Sequence, residues 1–216
     1  MTGTQTNLID ALEAPNSEQP WPKPPGLSLL GDFVSPSEEH GLVSIIDEIP
    51  WSTELKRRVQ HYGYRYDYKA RRVDETSYLG PLPEWLGTLC DRLVNQMIFD
   101  TKPDQVIINE YKPGQGISPH TDCIPCFGDT IASLSLKSSC KIKFAKTLLE
   151  HHSSDTDDIE LVLEPRSLLV MKGEARHHWK HSIPARQSDV IAGVRTPRSR
   201  RVSLTFRTIT RTVKVK

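Results

Sequence analysis

From residue 104 to residue 210 the chain breaks into short β-like runs, at 104–112, 130–136, 140–145, 159–163, 167–172, 181–185 and 201–210, each bounded by turn-forming or polar residues. Two helical patterns precede them. Ser35-Pro36-Ser37-Glu38 supplies an N-cap, a proline at N1 and a capping-box glutamate, and Leu42, Ile45, Ile46 and Ile49 then mark one face of a helix from Pro36 to Ile49. Leu86, Leu89, Cys90, Leu93, Val94 and Met97 recur at helical spacing and predict a second helix from Pro83 to Phe99. Helices first and strands in series afterwards define an α+β chain, with two helices buttressing a sandwich or jelly-roll barrel.

The 216 residues suit one domain, and a monomer is the working expectation. Residues 1–26, rich in Pro, Ser, Glu and Gln, read as a disordered leader, and 27–212 as the folded domain. No run of eighteen apolar residues and no signal-peptide pattern occurs, so an intracellular protein is expected, cytoplasmic or, in a eukaryotic cell, nuclear. Two polar stretches, His151–Asp158 and Gln187–Ser199, read as linkers, either disordered or facing a substrate.

The net charge of +1 conceals segregation. Residues 55–72 hold Lys56, Arg57, Arg58, Arg65, Lys69, Arg71 and Arg72 against Asp67 alone, and eight basic residues but no acid follow Asp189. Two such segments can converge on a polyanion, or can simply be a solvated surface and a positive tail.

Within NEYKPGQGISPHTD, residues 109–122, His120 and Asp122 stand two apart, so on a strand they face one side and can share an ion. A third ligand must come from His177, His178 or His181; His181 is preferred because it opens a β-like run, a rigid support. Two histidines and a carboxylate leave half an octahedron open, the arrangement that suits non-haem Fe(II) oxygenases. In Arg201-Val-Ser-Leu-Thr-Phe-Arg207 the polar residues alternate with Val202, Leu204 and Phe206. One face of that strand can line a polar pocket and clamp a dicarboxylate such as 2-oxoglutarate. An edge strand with solvated arginines has the same alternation.

These residues resemble the AlkB family of Fe(II)- and 2-oxoglutarate-dependent dioxygenases over about residues 27–210, with the family's Asn-x-Tyr, His-x-Asp, distal His and Arg-x-[Asn/Ser]-x-x-x-Arg elements in order. The resemblance implies a double-stranded β-helix, O2 as oxidant, and iron held by His120, Asp122 and His181. It gives Asn109 and Tyr111 hydrogen bonds to the cosubstrate, pairs Arg201 with its distal carboxylate, and sets Arg207 by the metal-bound end. Ser203 stands where the bacterial archetype has asparagine, and Ile124 where that archetype has an acid that helps read the base. PDQVIINEYKPGQGISPH, SLLVMKGEARHHWKH and SLTFR also resemble animal homologues that hydroxylate a modified wobble uridine in tRNA, whose additional RNA-binding and methyltransferase domains a chain of this length is not expected to carry.

Tyr62, Tyr64, Tyr66 and Tyr68 alternate beside Arg71 and Arg72. On one face of an extended segment they would either stack a base and hold phosphates or be half-buried packing. The resemblance favours the first, since AlkB-like proteins place a Gly-Tyr-x-Tyr element in a nucleotide-recognition lid, and it assigns Tyr64, Arg65, Tyr66, Arg71 and Arg72 to substrate. The expected function is oxidative demethylation of N-alkylated bases in single-stranded or flipped-out DNA or RNA, with formaldehyde released. Hydroxylation of a tRNA nucleoside and a non-catalytic metal-containing binding module are the alternatives. Cys123-Ile-Pro-Cys126 has the spacing of a zinc knuckle or a redox pair, though a lone pair of cysteines is an incomplete zinc ligand set.

Overall fold

The computed structural model describes residues 24–73, 75–146 and 158–210. Strand β1 (Leu27–Leu30) leads into helix α1 (Pro36–Glu48), then β2 (Val59–Tyr62) and α2 (Glu84–Asn95). The strands β3 (Gln105–Tyr111), β4 (Ile117–His120), β5 (Ile131–Leu136), β6 (Cys140–Lys146), β7 (Ile159–Leu163) and β8 (Leu168–Met171) follow. A short helix α3 (Gly173–His177) precedes β9 (Trp179–Ile183), β10 (Ser188–Ile191), β11 (Val194–Pro197) and β12 (Arg201–Arg207).

The strands form a six-stranded antiparallel sheet ordered β1-β8-β5-β12-β3-β2, a four-stranded sheet ordered β4-β9-β6-β7, and the β10-β11 hairpin. Together they make the jelly roll, with α1 and α2 covering the outer face of the larger sheet. The pleat explains this layering, because successive side chains point to opposite faces. Val106 and Ile108 of β3, Leu134 of β5 and Val202, Leu204 and Phe206 of β12 face outward and pack with Leu42, Ile46, Leu86 and Leu93 of the helices. Burying each such large side chain contributes about 1.5–3 kcal/mol. The intervening residues, Ile107, Asn109 and Tyr111 on β3 and Arg201, Ser203, Thr205 and Arg207 on β12, line a cavity between the sheets. Strand β12 lies between β5 and β3, not at an edge, so its arginines are buried and not solvated.

At the N-terminus of α1, Ser35 Oγ accepts from the Glu38 amide at 3.2 Å while Glu38 Oε2 accepts from the Ser35 amide at 2.8 Å. Hydrogen bonding by Arg92 of α2, and then by Ser35, holds the Glu38 carboxyl down at about 2, which ties the two helices together. Helix α2 ends earlier than its apolar spacing predicts. Met97 takes a left-handed φ of 56° and the Ile98 amide returns to the Leu93 carbonyl at 2.9 Å. Ile98 and Phe99 are therefore core residues of the exit loop.

The Gln187–Ser199 stretch is not a structureless linker. It forms the β10-β11 hairpin, fixed by a buried pair in which Arg198 donates to both oxygens of Asp189 at 2.6 and 2.8 Å. Polar composition hid a hairpin whose buried centre is one ion pair. The other predicted linker lies outside the described residues except for Asp158, and the leader does so except for 24–26. Those three residues are bonded into the fold, since the Pro25 carbonyl accepts from the Ala175 amide at 3.0 Å and the Gly26 carbonyl from Lys172 at 2.8 Å. Among the described residues no helix is long and apolar enough to cross a membrane.

The tyrosine series does not form one extended face. Strand β2 stops at Tyr62, and Gly63 turns the chain with φ 74°. A Cβ there would come within 1.8 Å of the Asp104 carbonyl oxygen. Gly63→Ala is therefore expected to destabilise the protein by about 1–3 kcal/mol, read as a lower urea midpoint; an unchanged midpoint would refute the close approach.

Candidate active site

His120 ends β4 and His181 sits in β9, directly opposite each other in the ladder, with ring centroids 4.3 Å apart. The His120 Nδ1 lies 2.8 Å from the Ser118 carbonyl oxygen. A carbonyl only accepts, so Nδ1 carries the proton, and Nε2 is the nitrogen that a metal would take. His181 opens onto the cavity but is densely surrounded, with Phe144 packed against its ring. Desolvation, reinforced by His120, holds it down at about 4, so its imidazole is neutral at physiological pH.

Asp122 follows two residues after His120, and its carboxylate Oδ1 accepts from Arg207 Nη2 at 2.8 Å. Burial alone would raise this carboxyl; the charge of the Arg207 guanidinium opposes burial and keeps it below the usual range, hence ionised. Two imidazole nitrogens and an ionised carboxylate are the donor set an Fe(II) ion takes. Among the described residues, no three His, Cys, Asp or Glu side chains stand ready to clasp a cation as oriented, Asp122 being turned to Arg207. The fit rests on the chemistry of the donors and the strand pairing that brings them together.

Across the same cavity, Arg201 is 3% exposed and spends Nη2 on Ser135 Oγ at 2.7 Å, while its Nε and Nη1 have no acceptor. Buried charged donors without partners are costly. Their presence marks an anion site, and a dicarboxylate's far end suits it. Ser203 pairs in register with Asn109 on one side and Ser135 on the other, and is buried. Tyr111 lies between two guanidinium groups, 5.4 Å from Arg201 and 5.9 Å from Arg57. Arg207 also donates to Gln105 Oε1 at 3.2 Å, and its Nε is unpartnered.

The cavity holds about 930 Å³, and Tyr66, Tyr68, Arg71, Ile124 and Lys180 are among its lining. Of the residues expected to meet substrate, Tyr66 and Arg71 do line it. Tyr64 and Arg65 do not. Tyr64 stacks on Tyr78 with centroids 5.0 Å apart, and Arg65 pairs with Glu54, because the turn at Gly63 ends the simple alternation. Arg72 is exposed outside the lining and its backbone bridges Asp67.

Three contributors escaped the sequence reading of the site. Arg57 donates from Nε to Asn109 Oδ1 at 2.8 Å, Ser135 holds Arg201, and Arg176 binds the loop after Asp122. The alternation of Ser133 and Ser135 in β5 was a usable signal for the second; the other two depend on contacts between distant segments. The Cys123–Cys126 pair is a disulfide, not half of a zinc site.

His61 of β2 lines no part of this site, but it gives the fold a pH response. Neither ring nitrogen has a hydrogen-bond partner, and burial is the main cause that lowers it from 6.5 to about 4. The native state thus binds fewer protons than the unfolded chain between those values, so this contribution to stability is complete above about 6.5 and is lost as pH falls towards 4. Urea midpoints at neutral pH and near pH 5 are expected to differ less in His61→Phe than in the wild type; equal differences would overturn this.

The family model described as the 2OG-Fe(II) oxygenase superfamily matches residues 4–207, and the chain belongs to that family. Within it the chain is an AlkB-type catalytic domain, and the cofactors are Fe(II), 2-oxoglutarate and O2. An uncharacterised Acanthamoeba polyphaga mimivirus protein is 38% identical, covering 85% of each chain. The Arabidopsis thaliana "Alkylated DNA repair protein ALKBH8 homolog" is 39% identical over 86% of this chain, which spans 58% of that protein. The Danio rerio "Probable RNA/DNA demethylase ALKBH6" is 27% identical over 88% of each. The solved structure of OsALKBH1 superposes with a TM-score of 0.63 at 16% identity, covering 86% of this chain and 97% of that one, which supports the fold.

Proposed function

We propose that this chain is a nucleic-acid oxygenase that hydroxylates a carbon on a modified base, held in a single strand or flipped from a duplex. One observation carries the reading: a single cavity is lined both by His120, Asp122 and His181 and by Tyr66, Tyr68, Arg71 and Lys180. Aromatic faces stack bases and cations meet phosphates, whereas a small apolar substrate would need neither.

Bound Fe(II) and 2-oxoglutarate supply the oxidation of a C–H bond, one oxygen atom of O2 passing to the product and the other to succinate. His120, Asp122 and His181 would hold the metal. The guanidinium of Arg201 would anchor the distal carboxylate through its unpartnered Nε and Nη1, while Asn109 and Tyr111 orient the chain of the cosubstrate. Arg207 would fix the Asp122 carboxylate and keep it ionised. Packing of Tyr66 against Phe127, with centroids 5.7 Å apart, covers one side of the cavity and limits water.

Whether the product is stable follows from which carbon is hydroxylated. Hydroxyl on an N-methyl group leaves a hemiaminal that releases formaldehyde, whereas hydroxyl on a carbon-linked substituent remains. A tRNA nucleoside as substrate is favoured by the 38% identity to the Xenopus tropicalis "tRNA (carboxymethyluridine(34)-5-O)-methyltransferase alkbh8", of which this chain spans 26%, and stable hydroxylation is the product that the resemblance in the sequence implies; the names "Alkylated DNA repair protein ALKBH8 homolog" and "Probable RNA/DNA demethylase ALKBH6" keep oxidative demethylation as the second reading. Incubation with bulk tRNA, methylated single-stranded DNA and methylated duplex DNA tests both. Nucleoside mass spectrometry that gains oxygen in tRNA supports the first, and formaldehyde with loss of methyl supports the second. Succinate formation unaffected by any nucleic acid would reject both.

A further inference from the structure

We propose that Cys123 and Cys126 are a reversible thiol/disulfide site that sets how firmly the segment 64–73 is tied to the loop following Asp122. The two cysteines are joined as a disulfide at a separation of three residues. Both sulfurs face one acceptor, the carbonyl oxygen of Arg71, at 3.3 Å from Cys123 Sγ and 3.6 Å from Cys126 Sγ. A disulfide sulfur carries no proton, so in the oxidised form these are contacts without a donor. In the dithiol form each Sγ–H can donate to that carbonyl. Redox state therefore switches the bond between loop and segment.

The placement gives the switch something to act on. Arg71 lines the cavity and takes a left-handed φ of 51° at the closed end of the turn bridged by Asp67 and Arg72. Apolar packing also joins the two segments: Tyr66 and Val73 pack against the cluster that holds Cys123, Cys126 and Phe127, with the Tyr66 and Phe127 ring centroids 5.7 Å apart. On its other side the loop is immobilised, because the buried Arg176 guanidinium donates to the carbonyls of Asp122, Cys123, Phe127 and Gly128 at 3.0 to 3.4 Å. With the inner side held at four points, a change at the sulfurs is transmitted outward to the segment over the cavity and not inward to Asp122.

The chemistry is thiol–disulfide exchange with a small disulfide such as glutathione disulfide. Two S–H bonds break and one S–S bond forms; two electrons and two protons pass to the small disulfide, which becomes two thiols. Cys90 and Cys140 are free and buried, and are expected to stay reduced.

The test uses the full chain equilibrated with reduced glutathione or with glutathione disulfide. Thiol titration after denaturation in acid should count four thiols in the reduced sample and two in the oxidised one, the chain having four cysteines. Hydrogen exchange of residues 64–73 should be about threefold slower when reduced, the effect of one weak S–H···O bond. Cys126→Ser combined with Cys123→Ala keeps a hydroxyl donor and should exchange slowly in both conditions, whereas alanine at both positions should exchange quickly in both. Four thiols persisting in glutathione disulfide, equal exchange in the two redox states, or redox dependence surviving in the double alanine variant would overturn the proposal. Because exchange is the readout, failure here leaves the oxygenase reading intact.

Discussion

His181→Ala is expected to lower 2-oxoglutarate-dependent succinate formation by at least about 100-fold, with iron stoichiometry falling alongside. The magnitude follows from the donor set: outer-shell partners of metal-binding histidines alone are worth about 10–100-fold in affinity or activity, and His181 would be a ligand itself. Its ring faces His120 across the β4-β9 ladder at 4.3 Å. His177 offers the contrast. It reaches the cavity lining but pairs with the exposed Asp129 at 3.1 Å. His177→Ala should stay within about threefold of the wild type, since exposed ion pairs contribute little. Loss of iron in His177→Ala and retention in His181→Ala would reverse the ligand assignment.

Arg201→Met carries the second large effect, with opposite signs for binding and stability. Removing one partner of a buried charge pair costs about 2–5 kcal/mol or more, so KM for 2-oxoglutarate should rise by about 30-fold or more. Without cosubstrate, however, the wild-type protein buries Arg201 Nε and Nη1 unpaired. Methionine of similar length relieves that penalty, and replacing buried charges with apolar side chains is often neutral or stabilising by about 1–4 kcal/mol. Thermal midpoints measured without 2-oxoglutarate should therefore be equal or higher in the variant. A lower midpoint with an unchanged KM would show that Arg201 supports the sheet and does not clamp the cosubstrate.

The stretch from Asn109 to Asp122 and the strand Arg201–Arg207 were legible because a strand exposes its pattern in its own sequence. Alternation in RVSLTFR separated a core face from a cavity face, and β12 in the middle of the sheet uses both. The capping box at Ser35 was equally local. The tyrosine series misled because one glycine with positive φ, at Gly63, reverses the chain and scatters side chains that a continuous strand would have aligned. The β10-β11 hairpin was missed because its buried content is the Asp189–Arg198 pair, indistinguishable in sequence from solvated charges.

Local periodicity and spacing thus determined most of the central strands, the α+β class and the polar side chains that share a face, since these depend on residues a few positions apart, and the family resemblance narrowed the class to the jelly roll. Tertiary structure alone decided what those side chains meet: Arg57 on Asn109, Arg207 on Asp122, Arg176 on the loop carbonyls and both cysteine sulfurs on Arg71. Each of those contacts joins segments about fifty or more residues apart, and only strand pairing together with packing of the two sheets brings such segments within hydrogen-bonding distance.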